Sequence, residues 1–345
     1  MTATVRTVLG DVPPEELGVC DAHDHLFFRS PLLPGQELDD TAAAEAELRA
    51  YRDAGGGAVV QWTPHGLGRR AELLPELSTA TGVRVVAATG LHQAAHYPPE
   101  LLARLRPALA GVFVRELTEG IGDSGVRAGL IKVAGGFHAL DGHAVWTMRA
   151  AAEAHHATGA PIAVHHELGT GVLDVLDLLC GELGVAPERV VLGHLNRSPD
   201  FAVHRQAAES GAYLAFDGPS RANHATDWRM PDALAALADA GYGDRLLLGG
   251  DTTTAGARSV SGGPGMPYLL RRVRPRLELA LGEALVDRIL VDNPGRGVRG
   301  GAAAREVTDG LTRPVCFRPV VCGRRGARGR RTPRPTSAPA RGPGT

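Results

Sequence analysis

The feature that most constrains the fold of this chain is a regular alternation of short apolar runs with helix-forming segments. Helical periodicity separates eight apolar runs, which cover residues 18–27, 58–62, 83–88, 130–134, 161–165, 190–194, 212–216 and 245–251. Strands that alternate with helices form a parallel sheet. Eight strand–helix units in fewer than 300 residues fit an α/β chain folded as a (β/α)8 TIM barrel. An open, doubly wound sheet is the alternative that this pattern leaves available.

The chain changes character near residue 296. Residues 1–295 hold 36 acidic and 25 basic side chains, whereas residues 296–345 hold 12 arginines against Glu306 and Asp309. Hydrophobic periodicity is lost in the second part, which is rich in Arg, Gly and Pro. We therefore expect the barrel to occupy residues 1–296 and a disordered basic tail to occupy residues 297–345. A change of reading frame near residue 296 is one hypothesis for the origin of this tail.

Several classes of protein are disfavoured by composition. No glycine-rich nucleotide motif follows an apolar run, and no apolar run approaches the ~20 residues of a membrane helix. The start of the chain lacks the apolar segment of a secretory signal. Four scattered cysteines suggest neither a zinc ribbon nor a disulfide framework. The basic tail has only Phe317 as an aromatic residue, so we expect no nucleic-acid partner. A cytoplasmic protein that neither crosses nor binds a membrane is expected.

Lys132 is the only lysine in 345 residues, and the other 36 basic side chains are arginine. Lysine, unlike arginine, can lose its proton and act as a nucleophile. Lys132 lies in the apolar run 130–134, which ends at Gly135 and Gly136. Because a buried ammonium needs a partner, Lys132 is a candidate for chemistry that arginine cannot perform.

Residues with metal-binding chemistry recur at the ends of the apolar runs. In a barrel these ends face one mouth, so we expect the side chains to converge. One histidine at a strand end is more often a hydrogen-bonded core residue, but repetition on five strands favours a site. The six candidates are His23, His25, Lys132, His165, His194 and Asp251.

The remaining histidines are weaker candidates. His155 and His156 lie on a helical segment and are expected to be solvated. His166 alternates with His165 along a strand, so it is expected to point away from the site. Five others fall in loops at the predicted mouth, where they could line a substrate pocket: His65, His92, His96, His138 and His143.

The candidate ligands suit two metal ions. Imidazole and carboxylate groups bind Zn²⁺ or a similar divalent ion, and four histidines with Asp251 exceed what one catalytic zinc needs. Two close cations repel each other, so an anion must lie between them. A neutral Lys132 amine can add CO2 and become a carbamate, whose two oxygens could each bind one metal. We therefore predict two divalent ions, of the Zn²⁺ type, bridged by a carbamate on Lys132.

The chain resembles the phosphotriesterase-like branch of the amidohydrolase superfamily. The similar segments run in family order over residues 18–296 and include His23-Asp24-His25-Leu26, Gly129-Leu130-Ile131-Lys132-Val133, Leu192-Gly193-His194-Leu195 and Leu248-Gly249-Gly250-Asp251. The resemblance implies a TIM barrel with a binuclear metal centre. It implies that His23, His25 and Asp251 hold the more buried metal, and that His165 and His194 hold the more exposed one.

The resemblance also implies a mechanism. Carboxylated Lys132 and a hydroxide would bridge the metals, the hydroxide would attack a phosphoryl or carbonyl centre, and Asp251 would accept the proton. Lys132 and Asp251 are thus the implied catalytic residues. A dimer is common among similar proteins, so a homodimer is one expectation.

Departures from the family pattern bear on the substrate. Gly218 stands where the resemblance implies a relay histidine in true phosphotriesterases, and Thr254 stands where many relatives carry arginine. A lactonase, or a hydrolase of small carboxylic or phosphoric esters, therefore fits better than a specialised triesterase. Arg221 and His224, which follow the seventh run, are candidate substrate contacts.

Two alternatives remain open. One is hydrolysis of amides or cyclic amides on the same centre. The other is a metal-binding barrel that has lost catalysis.

Overall fold

The structure is a computed structural model that describes residues 3–218 and 225–300. The strands of these residues are β1 (Val5–Thr7), β2 (Gly10–Val12), β3 (Cys20–Asp24), β4 (Ala58–Gln61), β5 (Arg84–Gly90), β6 (Leu130–Ala134), β7 (Ile162–His165), β8 (Val190–Leu192), β9 (Tyr213–Asp217) and β10 (Leu246–Gly249). Strands β3 to β10 form one eight-stranded parallel sheet in sequence order.

The sheet curls until its last strand lies beside its first. The backbone N–H of Asp251, just after β10, donates to the carbonyl of His23 in β3 at 2.8 Å. A Cβ atom at Gly249 would lie 2.7 Å from that carbonyl oxygen, so glycine permits the close approach of the two strands. The (β/α)8 TIM barrel predicted from the alternation is therefore confirmed.

Helices cover the outside of the sheet. Asp40 and Asp141 begin two of them by accepting hydrogen bonds from the backbone N–H groups of Ala43 and Ala144. The helical region between β5 and β6 is divided near Pro107, because proline lacks the N–H that a continuous helix needs. The described helices are α1 (Thr41–Asp53), α2 (Leu74–Thr81), α3 (Pro99–Leu105), α4 (Leu109–Thr118), α5 (Gly142–Thr158), α6 (Val172–Leu176), α7 (Phe201–Glu209), α8 (Met230–Asp239), α9 (Gly265–Tyr268), α10 (Arg274–Leu281), α11 (Glu283–Asp287) and α12 (Asn293–Gly297).

Alternation along the strands separates two apolar layers. On β6, Leu130 packs inside the barrel with residues such as Val60 and Ala163. Ile131 and Val133 pack instead in the layer between sheet and helices. Since successive side chains point to opposite faces, Lys132 shares the inward face of Leu130.

The amino-terminal end of the barrel is filled by segments from outside the sheet. Val5 of the β1–β2 hairpin, Leu17 and Val298 join the inner apolar layer. Gly300 donates its N–H to the carbonyl of Thr4 at 2.8 Å. Ordered packing thus continues through residue 300, and the division of the chain at 296 stays a prediction.

Helix α5 buries one of its two adjacent histidines. His155 is buried, and its Nδ1–H donates to the carbonyl of Ala160 at 2.6 Å, so the expectation that it is solvated is wrong. It lies on the α5 face that also buries Met148 and Ala151, whereas His156 is exposed. No helix in the two described ranges has the length and apolarity needed to cross a membrane.

Candidate metal centre

The six candidate metal ligands lie together at the carboxyl end of the barrel strands. They line one cavity of about 490 Å³. Burial is nearly complete for five of them, and His165 is half-buried. The strand ends that carry them are those of β3, β6, β7, β8 and β10, and the residues are His23, His25, Lys132, His165, His194 and Asp251.

Three of these side chains direct one atom each toward a common point. The Nε2 atom of His23 lies 3.7 Å from Oδ1 of Asp251, and Nε2 of His25 lies 3.5 Å from the same oxygen. The three ligand atoms lie within 4.8 Å of one another. This is the spacing at which two imidazoles and one carboxylate can share a cation with short bonds.

The other nitrogen of each of these histidines is held by the protein. Nδ1 of His23 lies 2.7 Å from Oδ2 of Asp217, and Nδ1 of His25 lies 2.8 Å from Oγ1 of Thr63. The Thr63 hydroxyl donates to the carbonyl of Phe27, so it accepts from the His25 ring. These bonds fix the tautomers and leave both Nε2 lone pairs facing the cavity.

The second pair of histidines comes from neighbouring strands. Nε2 of His194 lies 2.7 Å from Nδ1 of His165. On its outer side, Nε2 of His165 donates to Oε2 of Glu167 at 3.2 Å, and Nδ1 of His194 donates to Oδ1 of Asp217. Both facing nitrogens are therefore directed into the site, and a modest separation of the rings would place a cation between them.

Asp217 is a residue of this site that the sequence analysis did not single out. This fully buried carboxylate accepts from His23 through one oxygen and from His194 through the other. Burial alone would raise its pKa, but the two imidazoles hold the pKa well below its usual range. Asp217 is thus an anion that orients one histidine of each group. Its position at the end of β9 was the available signal.

The side chain of Lys132 lies among the histidines, and its amine forms no hydrogen bond to the described residues. Burial lowers its pKa to about 7, against which only the charge of Asp251 acts. A substantial fraction of the amine is therefore neutral near neutral pH. A neutral amine is the form that can add CO2, so the environment of Lys132 fits a carbamate.

Two candidate ligands have unusual backbone geometry. His194 has φ of 64° and Asp251 has φ of 51°, in the left-handed region that non-glycine residues seldom occupy. Such strain costs about 1–3 kcal/mol and persists where the surroundings impose it. At both positions the reversal follows a barrel strand and directs the side chain into the cavity.

The aromatic neighbour of the site is Trp62. Its ring stacks on that of His23 with centroids 3.7 Å apart, and its Nε1–H donates to the carbonyl of Ala22 at 2.8 Å. The indole therefore restrains the imidazole from the face that the cavity does not reach.

The five loop histidines differ in their position relative to this cavity. His92 and His96 line it, whereas His65 lines a separate cavity. His138 is exposed, and His143 bonds to the carbonyl of His92. Arg221 and His224 lie outside the described residues. The apolar wall consists of Phe28, Leu32, Leu33 and Leu168, and the further polar groups are Gln93, His166, Glu167, Arg197 and Thr253.

His166 therefore borders the cavity, and the expectation that it points away from the site is wrong. Its Nδ1–H donates to the carbonyl of Gly193 at 3.2 Å.

The donor set fits divalent cations. Each of the four histidines turns one nitrogen inward while its other nitrogen is hydrogen-bonded. His23, His194 and Asp217 also lie within 4.8 Å of one another, but the contacts of Asp217 are hydrogen bonds to the outer nitrogens. Asp217 therefore supports the ligands and is not one of them.

Comparisons with known proteins show which family the chain resembles in sequence. The phosphotriesterase family model matches residues 3–298. A phospho-furanose lactonase of Mycoplasmopsis agalactiae is 32% identical over 84% of this chain and 90% of its own length. An N-acetyltaurine hydrolase of Salmo salar is 27% identical over 86% of this chain and 98% of its own length.

Solved structures with a similar fold include a protein of the same kind as one of these sequence relatives. A solved lactonase structure from Listeria monocytogenes has a TM-score of 0.80 and 27% identity, covering 87% of this chain and all of that chain. The barrel, the convergent histidines and the match across residues 3–298 lead to one conclusion: the chain belongs to the phosphotriesterase family and is a metal-dependent hydrolase.

Proposed function

We propose that this chain is a binuclear metal-dependent ester hydrolase with lactonase-like specificity. The observation that carries the proposal is the common orientation of four histidines around buried Lys132. Each ring presents one nitrogen to the cavity, and its other nitrogen is bonded to Asp217, Thr63 or Glu167.

The ligands divide into two groups. His23, His25 and Asp251 would hold one ion, and His165 and His194 would hold the other. Lys132 would supply an anionic oxygen ligand to the ions as a carbamate. In its formation the Nζ lone pair bonds to the carbon of CO2, one C=O π pair moves to oxygen, and the nitrogen loses a proton to water. When bound, two divalent cations, of the Zn²⁺ type, lower the pKa of a water molecule and polarise a carbonyl or phosphoryl oxygen.

Side chains of the protein would accept the proton and bind the substrate. The carboxylate of Asp251, whose Oδ1 faces His23 and His25, would accept the proton of the attacking water. The apolar wall of Phe28, Leu32, Leu33 and Leu168 would hold the hydrocarbon part of the substrate and exclude water.

A small lactone is the favoured substrate class. Lactonases occur both among the sequence relatives and among the solved structures of similar fold. The cavity of about 490 Å³ suits a small ring better than a polymer.

Amide hydrolysis is the second candidate. The N-acetyltaurine hydrolase of Salmo salar, which aligns with 86% of this chain, motivates it. An amide requires protonation of a poorer leaving group, so a proton donor near the scissile nitrogen would distinguish this activity. His92 and His96 are the candidates for that contact, because they line the same cavity.

Metal analysis of the wild type and Lys132→Arg tests the centre. We expect about two metal ions per wild-type chain and a strong loss in the variant, because a guanidinium cannot form the carbamate. Equal metal content in both proteins would exclude a bridging role for Lys132.

A substrate panel then tests the activity. Lactones, aryl esters, phosphotriesters and cyclic amides would be assayed with the metal-loaded wild type, and faster turnover of lactones is expected. Preferential turnover of amides would select the second candidate. Two bound metals with no turnover of any substrate would indicate a barrel that has lost catalysis.

A further inference from the structure

Arg197 reaches the cavity through space that glycine leaves open at position 218. The Arg197 side chain is 7% exposed, and its Nη2 donates to Oδ2 of Asp251 at 3.1 Å. Gly218 has φ of 78°, and a Cβ atom there would overlap Nη2 of Arg197. Any larger residue at 218 would therefore displace the guanidinium.

Arg197 has more donors than its contact with Asp251 uses. A guanidinium carries five N–H groups, and the bond to Asp251 uses one of them within the described residues. None of its nitrogens is among the described buried polar atoms that lack a partner. Arg197 lines the same cavity as His165 and His194, so a molecule bound there would lie next to this side chain.

The charge of Arg197 is only partly balanced. In the proposed function, on which this inference rests, Asp251 shares its negative charge with a cation. A permanently charged, nearly buried guanidinium then needs a further anion. Glu167, the other carboxylate on the cavity wall, already accepts from His165 and Gln93.

We propose that Arg197, admitted by Gly218, is a specificity-determining residue that binds an anionic group placed next to the scissile ester of the substrate. A carboxylate or a phosphate has the planar or trigonal oxygen face that a guanidinium binds through two N–H groups. The substrate class is therefore an anionic lactone or ester. Its apolar part faces Leu32 and Leu33, and its charged end faces Arg197.

A matched set of lactones tests this inference. The assays would compare the wild type with Arg197→Gln, Arg197→Lys and Gly218→Ala. The substrates would be γ-butyrolactones that carry a 5-carboxylate, a 5-hydroxymethyl or a 5-(phosphooxymethyl) group. The measured quantity is the ratio of kcat/KM for each anionic lactone to kcat/KM for the hydroxymethyl lactone. We expect Arg197→Gln and Gly218→Ala to lower this ratio by about tenfold or more, through KM, because a charge-assisted hydrogen bond is lost.

The variants separate recognition from positioning. Arg197→Lys keeps the charge and should recover part of the ratio, and the exposed Arg205→Gln should leave the ratio at the wild-type value. The carboxylate and phosphate arms identify which anion is preferred. If Arg197→Gln lowers kcat/KM equally for anionic and neutral lactones, Arg197 only holds Asp251 and the inference is wrong.

A binding measurement distinguishes failure of this inference from failure of the proposed function. If the wild type hydrolyses none of these lactones, the proposed activity is wrong. Calorimetry on the metal-loaded protein would then compare tetrahydrofuran-2-carboxylate with neutral tetrahydrofurfuryl alcohol. A preference for the carboxylate that disappears in Arg197→Gln supports anion recognition, whereas equal preference in both proteins overturns it.

Discussion

The ring nitrogens Nε2 of His194 and Nδ1 of His165 face each other at 2.7 Å across the ends of two neighbouring strands. Each ring is held from behind by a carboxylate, so neither can turn away without losing that bond. Two lone pairs directed at one point repel unless a proton or a cation lies between them. The fold thus prepares a cation site before any ion arrives.

Loss of the Asp217 carboxylate should weaken metal binding without removing a ligand. Asp217→Asn keeps the volume but replaces one acceptor oxygen with an NH2 donor, which cannot accept from His23 or His194. We expect metal affinity to fall about 10–100-fold, as for other residues that orient metal-binding histidines. Competition with a chelator measures the affinity. An unchanged affinity would show that the strands alone orient the rings.

Carbamylation of Lys132 should make metal uptake depend on CO2 and pH. The pKa of Lys132 is about 7, so roughly one amine in ten is neutral at pH 6 and about nine in ten are neutral at pH 8. At fixed CO2 pressure, uptake by metal-free protein should therefore accelerate as pH rises through 7. Stopped-flow mixing with Zn²⁺ measures it.

The matched control for this experiment is Lys132→Glu. Its carboxylate supplies an anion without CO2, so its uptake should not respond to CO2 pressure. Wild-type uptake that is equally indifferent to CO2 would exclude the carbamate.

A charged cluster that lines a different cavity from the candidate metal centre should stabilise the barrel. Glu116 is buried and accepts from Arg69, Thr89 and His65. Burial alone would raise its pKa, but these bonds hold the pKa at about 2. Glu116→Gln leaves the charge of Arg69 buried, so we expect a loss on the order of 3 kcal/mol in the free energy of unfolding. Urea unfolding measures it.

The pH dependence of this cluster has a definite sign. The folded pKa of Glu116 lies below the ordinary value of 4.5, so its contribution is present above pH 4.5 and disappears as pH falls toward 2. Glu116→Gln should lack this component of acid destabilisation. Exposed Glu119→Gln is the control, and an equal effect of both changes would contradict the assignment.

Two truncations test the division of the chain near residue 296. A chain that ends at Gly300 keeps Val298, which is 3% exposed, and the bond from Gly300 to Thr4. A chain that ends at Arg296 loses both. We expect the free energy of unfolding of the first chain to lie within about 0.5 kcal/mol of that of the full chain. The free energy of unfolding of the second should be lower by about 1–3 kcal/mol. Equal losses would assign a stabilising role to residues 301–345.

The fold was largely predictable because the strands and the helices each leave a regular hydrophobic period in the sequence. The inward position of Lys132 follows from alternation with Leu130, and the position of His165 follows from alternation with Ala163. The β1–β2 hairpin was missed because its two strands have three residues each, too few for a periodic pattern.

The candidate ligands were easier to find in the sequence than the residues that hydrogen-bond to them. Histidines at strand ends are conspicuous in a sequence, but a carboxylate at a strand end, such as Asp217, has many ordinary explanations. Arg197 could not be assigned from sequence, because its contact with Asp251 spans 54 positions and depends on the missing side chain of Gly218. Such contacts arise from three-dimensional closure of the barrel and leave no local pattern.

The stacking of Trp62 on His23 gives this protein a built-in optical reporter. Indole emission responds to the charge and mobility of groups in contact with the ring. The centroids of the Trp62 and His23 rings lie 3.7 Å apart. Loading of the buried ion should therefore be visible as a change in intrinsic fluorescence. Trp146 and Trp228 do not line the cavity, so replacing both with Phe would leave Trp62, beside the candidate metal centre, as the source of indole emission.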